Sequence, residues 1–232
     1  MNLQSPSALP HLPTAGNLAS LPLTSMSKKA LAHLKNADPV LASLIDTVGP
    51  CRLKPDRTQT AFEALVEAVC HQQLTGKAAQ TILGRVKALH PHRPFPAPDD
   101  LLGTPDDTLR GAGLSRAKVA AVKDISAKTL EGIVPAPEAL DELEDAEIIE
   151  RLTTIRGVGQ WTVEMLLIFK LGRMDVLPVD DFGVRKGFML TYRKRDLPKA
   201  SVLLKHGERW RPYRSIASWY MWRAADLAKA QG

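Results

Sequence analysis

The amino-acid sequence predicts an all-α protein, and three features of its 232 residues lead to that prediction. Apolar side chains recur every three or four residues along most of the chain, which is the spacing of helices that are buried on one face. Prolines, glycines and aspartates that begin or end helices stand between these stretches. We find neither the alternation of a half-buried strand nor an internal repeat. We therefore expect roughly ten short helices.

The N-terminal part is predicted to be a flexible tail followed by two helices. Residues 1–25 contain four prolines and no charged side chain, and they carry neither the basic start nor the apolar run of a secretory signal. Apolar residues follow helical spacing from Ser27 onward. Asp38 and Pro39 supply an N-cap and a first helical residue for the next helix, which Gly49 ends.

The rest of the chain continues in the same pattern. We predict helices over residues 60–71, 75–90, 115–130, 146–155 and 160–171, and others that begin after Pro105, Asp181, Pro198 and Pro212. Residues 91–98 are a proline-rich connection. Residues 131–150 hold eight acidic residues and no basic one, so we interpret them as a solvated surface without a ligand.

Composition and charge narrow the class of protein. The hydrophobic fraction of 44% is that of a folded globular chain, and no uncharged apolar run is long enough to cross a bilayer. Two cysteines are too few for a disulfide framework or a four-thiolate metal site, so we expect a reduced, cytoplasmic protein without membrane contact. The net charge of +6 divides into −3 over residues 1–184 and +9 over residues 185–232. That division suggests either an anionic partner such as nucleic acid or an arginine-rich solvated surface.

Residues 152–162, with the sequence LTTIRGVGQWT, join two predicted helices through a Gly-x-Gly turn. Gly157 and Gly159 permit a tight backbone and the close approach of a phosphate. The free N–H groups at the start of the following helix can bind an anion. We expect Ile155 and Val158 to anchor the turn in the core. An ordinary tight turn between two helices would need the same residues, so phosphate binding and simple chain reversal both stay open.

This string resembles the hairpin of the helix-hairpin-helix DNA glycosylase superfamily, in which a catalytic aspartate follows in a later loop. Asp181 follows Trp161 by twenty residues, in the loop VLPVDDFGV at residues 176–184. That loop is similar to the 3-methyladenine DNA glycosylase II family. The resemblance covers residues 26–230. Weaker similarities to the same family lie in residues 32–41, 69–74, 113–118 and 210–215.

The resemblance implies a two-lobed helix-hairpin-helix glycosylase fold with the active site in the cleft between the lobes. Residues 59–178 would form one lobe, which carries the hairpin. Residues 26–58 would pack with residues 179–232 to form the other. Asp181 would then lie where the chain passes between the lobes, in the kind of cleft that favours ligands.

The resemblance assigns Asp181 as the catalytic carboxylate, although position alone makes either aspartate of the pair an N-cap. We expect Asp180 to be the cap or a supporting residue. An ionised carboxylate stabilises the oxocarbenium-like sugar that forms when an N-glycosidic bond breaks. Trp161 and Trp222 fall where the family presents aromatic faces to a cationic base, with core packing as the alternative for Trp222, and Phe182 would add a third face. Trp161 also stands where lyase members have lysine, which argues against Schiff-base chemistry.

The same resemblance implies a wedge that fills the gap left by an extruded base. The turn formed by Gln72, Gln73 and Leu74 would supply it, with either Gln73 or Leu74 as the wedge and a plain polar turn as the alternative. Phosphate contacts would come from the glycines of the hairpin and from basic residues of the C-terminal segment. These DNA-binding candidates are Gly157, Gly159, Arg185, Lys186 and Arg214.

The backbone carbonyls of Thr153, Ile155 and Gly157 match positions that hold a monovalent cation in relatives. No other cofactor is expected, because an iron–sulfur cluster needs four cysteines. We therefore expect a monofunctional hydrolase of the DNA-3-methyladenine glycosylase II type that acts as a monomer on double-stranded DNA in base excision repair. It would extrude alkylated bases such as 3-methyladenine and excise them. The alternatives are a non-catalytic helix-hairpin-helix module that binds DNA, and a helical structural protein whose hairpin is only a tight turn.

Overall fold

The computed structural model of the protein describes residues 23–74 and 76–231. These residues form thirteen α-helices and contain no strand, which confirms the all-α prediction. The α-helices are α1 (Leu23–Ala37), α2 (Pro39–Val48), α3 (Ala61–His71), α4 (Gly76–Ala88), α5 (Pro98–Gly103), α6 (Asp106–Gly111), α7 (Arg116–Leu130), α8 (Pro137–Glu142), α9 (Asp145–Thr153), α10 (Gln160–Leu166), α11 (Phe182–Thr191), α12 (Ala200–Gly207) and α13 (Arg214–Gln231). A π-helical turn, Leu167–Leu171, continues α10, and a 3₁₀ turn, Glu208–Trp210, continues α12. Residues 1–22 of the predicted tail lie outside the described residues, and residues 23–25 belong to α1.

Local sequence signals set several helix ends as predicted. The Asp38 carboxylate caps α2 by accepting bonds from the backbone N–H groups of Val40, at 3.2 Å, and Leu41, at 3.1 Å. Pro39 occupies the first turn of that helix, where its missing N–H costs nothing. Ser115 caps α7 in the same manner.

The sequence does not predict α5 and α8, which are six residues long. Each begins at a proline and buries a single leucine, Leu101 in α5 and Leu140 in α8. One buried side chain per helix produces no apolar periodicity, so the sequence pattern does not predict a helix in either segment. The segment 160–171, predicted as one helix, changes to π-helical geometry at Leu167 and ends at Gly172, whose φ is 70°.

The buried apolar side chains form two clusters. The first lies between Ala61 and Val176 and contains residues of α3–α10 and the π-helical turn. The second joins α1 and α2 to Leu177 and the helices α11–α13. We call the parts around these clusters the first lobe and the second lobe. Leu53 and Trp222 are partly buried and pack against both clusters, so they mark the junction between the lobes.

A buried aspartate ties the N-terminal helices to the rest of the second lobe. Asp38 Oδ2 accepts hydrogen bonds from Tyr192 Oη at 2.6 Å, His206 Nε2 at 3.0 Å and Trp210 Nε1 at 3.1 Å. Burial alone would raise the pKa of Asp38, but the bonds from His206, Tyr192, Leu41 and Trp210 together hold that pKa well below its usual range. The charged Asp38 carboxylate therefore stabilises the second lobe together with the apolar core of that lobe.

No helix in the described part of the chain has both the length and the apolar character that crossing a membrane would require.

Candidate active site between the two lobes

Asp181 precedes α11 and serves as its N-cap. Its Oδ1 atom accepts a hydrogen bond from the backbone N–H of Val184 at 2.7 Å. Asp180, which the sequence predicts to be the cap or a supporting residue, is exposed to solvent. The prediction of Asp180 as the cap is wrong, because the extended backbone at Asp181 places its carboxylate over the free N–H groups of the helix. One side chain thus combines the cap and the candidate catalytic role.

Two indole groups converge on the same carboxylate. Trp161 Nε1, from α10 in the first lobe, donates to Asp181 Oδ2 at 2.8 Å. Trp222 Nε1, from α13 in the second lobe, donates to Oδ1 at 2.8 Å. Together with the Val184 N–H, three donors hold the carboxylate in one orientation. The site therefore depends on both lobes, and sequence reasoning predicts the aromatic rings here without their N–H contacts.

The aromatic faces differ in how far they are open to a ligand. Trp161 is 47% exposed and Phe182 is 65% exposed, which are high values for large apolar side chains. Trp222 is partly buried and stacks on Phe169 with ring centroids 5.4 Å apart. The structure thus brings all three predicted aromatic residues close to Asp181, with open faces on Trp161 and Phe182.

Gly183 makes room for the contact between Trp222 and Asp181. A Cβ atom at this position would lie 2.7 Å from Cδ1 of the Trp222 indole and 3.1 Å from Oδ1 of Asp181. The first separation is shorter than real Cβ atoms show, and the second would require the carboxylate to shift by a few tenths of an ångström. In the sequence, Gly183 follows the aspartate pair and Phe182. A glycine in a helix is not by itself informative, so this contact could not be predicted.

Glu164 adds a third carboxyl group near the aspartate pair. It lies one turn after Trp161 on α10, is buried, and accepts a hydrogen bond from Gln160 Nε2 at 2.9 Å. Burial raises the pKa of Glu164, the Gln160 bond opposes that rise, and the charges of Asp180 and Asp181 add to it. Glu164 could not be predicted from the sequence, since nothing in the spacing of α10 indicates that it faces the aspartates.

The Gly-x-Gly hairpin between α9 and α10 is anchored as predicted. Ile155 and Val158 are buried in the first lobe. Gly157 has a φ of 77°, a conformation that favours glycine, and a Cβ there would lie 2.9 Å from Cβ of Ala121. Gly159 occupies the N-cap position of α10 with extended backbone. The turn thus combines a tight backbone with the open N-terminal end of a helix.

The turn after α3 is joined to this hairpin. Gln72 Nε2 donates to the Gly157 carbonyl at 2.9 Å, and the Gln72 carbonyl accepts from Lys118 Nζ at 2.8 Å. Gln73 and Leu74 are exposed, and Gln73 has a φ of 59°. The structure therefore places the two wedge candidates beside the hairpin, while the Gln72 side chain links the two loops.

The basic candidates fall into two groups. Arg185 and Lys186 are half-buried in the first turn of α11, where Arg185 Nε donates to the Pro198 carbonyl at 2.9 Å. The Arg214 side chain is only 12% exposed, and its guanidinium pairs with Asp175 at 2.7 Å and 3.1 Å. Arg214 as a DNA contact stays a prediction, and its low exposure and its pairing with Asp175 count against that role.

The chain is similar to known proteins over most of its length. A family model described as "HhH-GPD superfamily base excision DNA repair protein" matches residues 66–212. DNA-3-methyladenine glycosylase 1 of Schizosaccharomyces pombe is 38% identical over 209 residues, which cover 89% of this chain and 90% of that protein.

Two solved structures resemble the whole described fold. The 3-methyladenine DNA glycosylase Mag1 of S. pombe, in complex with abasic DNA, aligns with a TM-score of 0.76 and 38% identity, covering 86% of this chain and 98% of that one. The DNA-3-methyladenine glycosidase of Bacillus halodurans aligns with a TM-score of 0.79 and 32% identity, covering 87% of this chain and 91% of that one. Both alignments take in more than four fifths of the chain.

Proposed function

The chain belongs to the HhH-GPD superfamily of base excision DNA repair proteins, and from that membership we propose that it is a glycosylase that excises alkylated bases from double-stranded DNA. It is a hydrolase of the N-glycosidic bond, and 3-methyladenine, for which its relatives are named, is the first substrate to test. The observation that carries the proposal is the Asp181 carboxylate, held at the junction of the lobes by Trp161, Trp222 and the start of α11.

The hairpin and the neighbouring turn would hold the DNA. Gly157 and Gly159 let a phosphate approach the backbone N–H groups that open α10, since no side chain stands in the way. Lys186 and the terminal nitrogens of Arg185 would contact phosphates beside α11. Because Gln72 joins the turn to the hairpin, both loops would meet the duplex as one surface.

Excision requires that the damaged base leave the helical stack. Extrusion costs a few kcal/mol, and an inserted side chain offsets part of that cost by filling the gap. Gln73 and Leu74 are exposed next to the hairpin and would enter the duplex there. The left-handed backbone of Gln73 turns the chain sharply at this point, so that the turn projects from the surface of the first lobe.

The site favours a base that carries positive charge. Alkylated purines are often cationic, and a cation over an aromatic face gains about 2 kcal/mol when it is desolvated. Trp161 and Phe182 offer such faces in the open part of the junction. The acidic groups Asp180, Asp181 and Glu164 lie together here, so an incoming cation would also meet a negative potential.

Bond cleavage is then an electrostatic task for Asp181. As the bond from C1′ to the base nitrogen breaks, its electron pair leaves with the base and positive charge develops on the sugar. The carboxylate stabilises that charge and orients a water molecule, whose oxygen bonds to C1′ while its proton passes to solvent. The products are the free base and an abasic site. Trp161 carries no amine, and Lys170 lies 3.4 Å from Asp56, so we assign no Schiff-base step.

A monovalent cation would fit the carbonyls of the hairpin. Thr153 ends α9, so its carbonyl lies beyond the last backbone donors of that helix. The Gly157 and Ile155 carbonyls accept hydrogen bonds from Gln72 and Val158, and each keeps a second lone pair for an ion. When bound, the cation would neutralise a nearby DNA phosphate. The monomeric state and the cytoplasmic location also stay predictions.

The experiment that tests the function is base release from methylated duplex DNA. The purified protein is incubated with DNA treated with a methylating agent, and the released bases are separated by chromatography while abasic sites are counted in the DNA. Unmethylated DNA of the same sequence is the control. Release of 3-methyladenine with an equal number of abasic sites supports the proposal. Salt-dependent duplex binding without release would favour the non-catalytic module instead.

A further inference from the structure

A cavity of about 230 Å³ lies between α3 and α10. Apolar side chains make up most of its lining, including Met165 and Phe169. A water molecule takes up about 30 Å³ in the liquid, so the cavity has room for several waters or for one heterocyclic base. It is therefore large enough for a ligand.

His71 is the last residue of α3 and lines this cavity. Its Nε2 atom is buried and has no hydrogen-bond partner among the described residues. Two charged groups in the same lining are engaged: Glu67 accepts from Gln59 Nε2 at 2.8 Å, and Lys170 lies 3.4 Å from Asp56. A buried polar atom without a partner is destabilising, so the imidazole gains from a ligand that supplies a hydrogen bond.

The position of the cavity connects it to the candidate active site. Phe169 lines the cavity and stacks on Trp222, which in turn donates to Asp181. At the other end, His71 directly precedes the turn of Gln72 and Gln73, where we place the wedge. Two residues of the lining, His71 and Phe169, thus connect the cavity to the wedge turn and to the aromatic wall of the aspartate.

From these contacts we infer that His71 is a specificity-determining residue, which hydrogen-bonds the edge of an extruded purine base that enters this cavity. The inference rests on the proposed function and deepens it. A purine offers ring nitrogens that accept and an exocyclic amine that donates. An imidazole can hydrogen-bond either kind of group, because its tautomer and ring orientation decide whether Nε2 donates a proton or accepts one. The base stays in contact with aromatic surface through Phe169.

This role predicts an effect that depends on the base. A side chain that only fills space would affect all lesions alike when it is shortened. A side chain that hydrogen-bonds the base edge discriminates between bases whose edges differ, because the poorer partner leaves a buried polar group unpaired. Adenine and guanine derivatives present different donors and acceptors, so 3-methyladenine and 7-methylguanine are suitable probes.

The test compares the wild type with His71→Ala and His71→Gln. Free 3-methyladenine and 7-methylguanine are titrated into each protein and binding is followed by tryptophan fluorescence, for which Trp222 is a nearby reporter. Release of the two bases from methylated duplex DNA is measured in parallel under single-turnover conditions. His92→Ala, which removes an exposed imidazole far along the chain, is the matched control. Thermal unfolding establishes that each variant is folded.

We expect His71→Ala to weaken binding of at least one base about tenfold, and to change the ratio of the two release rates by a similar factor. His71→Gln, which keeps a donor and an acceptor, should restore part of the loss, and His92→Ala should match the wild type. Equal affinities and an unchanged release ratio in a folded His71→Ala protein would overturn the inference. A wild type that releases no base would defeat the proposed function, while the free-base titration would still decide the role of His71.

Discussion

Replacing Asp181 with asparagine removes one negative charge from the junction between the lobes and keeps the shape of the side chain. The cap on α11 should survive, because asparagine is as good an N-cap as aspartate. At least one of the two indole bonds must be lost. The amide nitrogen of the asparagine is a donor, and it would face the N–H group of Trp161 or of Trp222. We therefore expect a folded protein that is less stable by about 1–2 kcal/mol.

The catalytic loss should be much larger than the loss of stability. A carboxylate about 4 Å from a developing cation contributes roughly 4 kcal/mol at the effective dielectric of a partly exposed site. Each 1.36 kcal/mol is a factor of ten in rate, so the variant should release 3-methyladenine about 1,000-fold more slowly. The measurement is single-turnover release from methylated duplex DNA, with binding to abasic-site DNA titrated alongside. Binding should change little, because phosphate contacts come from the hairpin and not from Asp181.

Asp180→Asn is the matched control for this substitution. It removes the same charge one residue away, at an exposed position, while both indole N–H groups donate to Asp181. It should keep release within a few-fold of the wild type. An Asp181→Asn variant whose rate lies within tenfold of the wild type, or an equal loss in both variants, would refute the assignment of the catalytic carboxylate.

Three further predictions concern charges and the aromatic wall. Trp161→Phe keeps a ring but loses the N–H bond to the carboxylate, so release should fall roughly tenfold with duplex binding unchanged in the same assay. Lys186→Ala should lower the slope of log affinity against log salt by about one, whereas Arg214→Ala should leave that slope unchanged. Arg214→Ala should also lower the free energy of unfolding by about 2 kcal/mol, because Asp175 loses one of its two arginine partners and keeps only Arg211. Equal slopes in the two variants would contradict this division. Asp38→Asn should lower the free energy of unfolding by about 3 kcal/mol at pH 7. Because the pKa of Asp38 is depressed in the folded protein, that difference should persist down to about pH 4 and shrink below it, as urea unfolding at pH 7 and pH 3 would measure.

The parts of the fold that the sequence predicts are those with local causes. Asp38 and Pro39 specify a helix start within two residues, and the cap forms as predicted. The short helices α5 and α8 escape prediction because each depends on one buried leucine, whose partners are distant in sequence. The change to π-helical geometry after Leu166 has no local signal that we recognise.

The candidate site could be predicted from local sequence signals even less than the fold. Neither spacing nor charge distinguishes Asp181 from Asp180 as the catalytic group, and only the family resemblance selects it. The indole bonds to Asp181 come from residues 20 positions before it and 41 after it, so they exist only once the lobes have met. The pairing of Arg214 with Asp175 escapes prediction for a similar reason, since the excess of basic residues in the C-terminal segment says nothing about an acidic partner 39 residues away.

The geometry of Asp181 links the arrangement of the lobes to the chemistry. One indole donor belongs to the first lobe, while the other indole and the cap belong to the second, so a shift of one lobe against the other must break at least one of the three bonds. Trp222 packs against both cores and donates to the carboxylate, which makes the same side chain part of the junction and of the site. It follows that substitutions at the junction can lower the rate without touching DNA or base. Leu53, which also packs on both cores, is the position where that effect should be sought first.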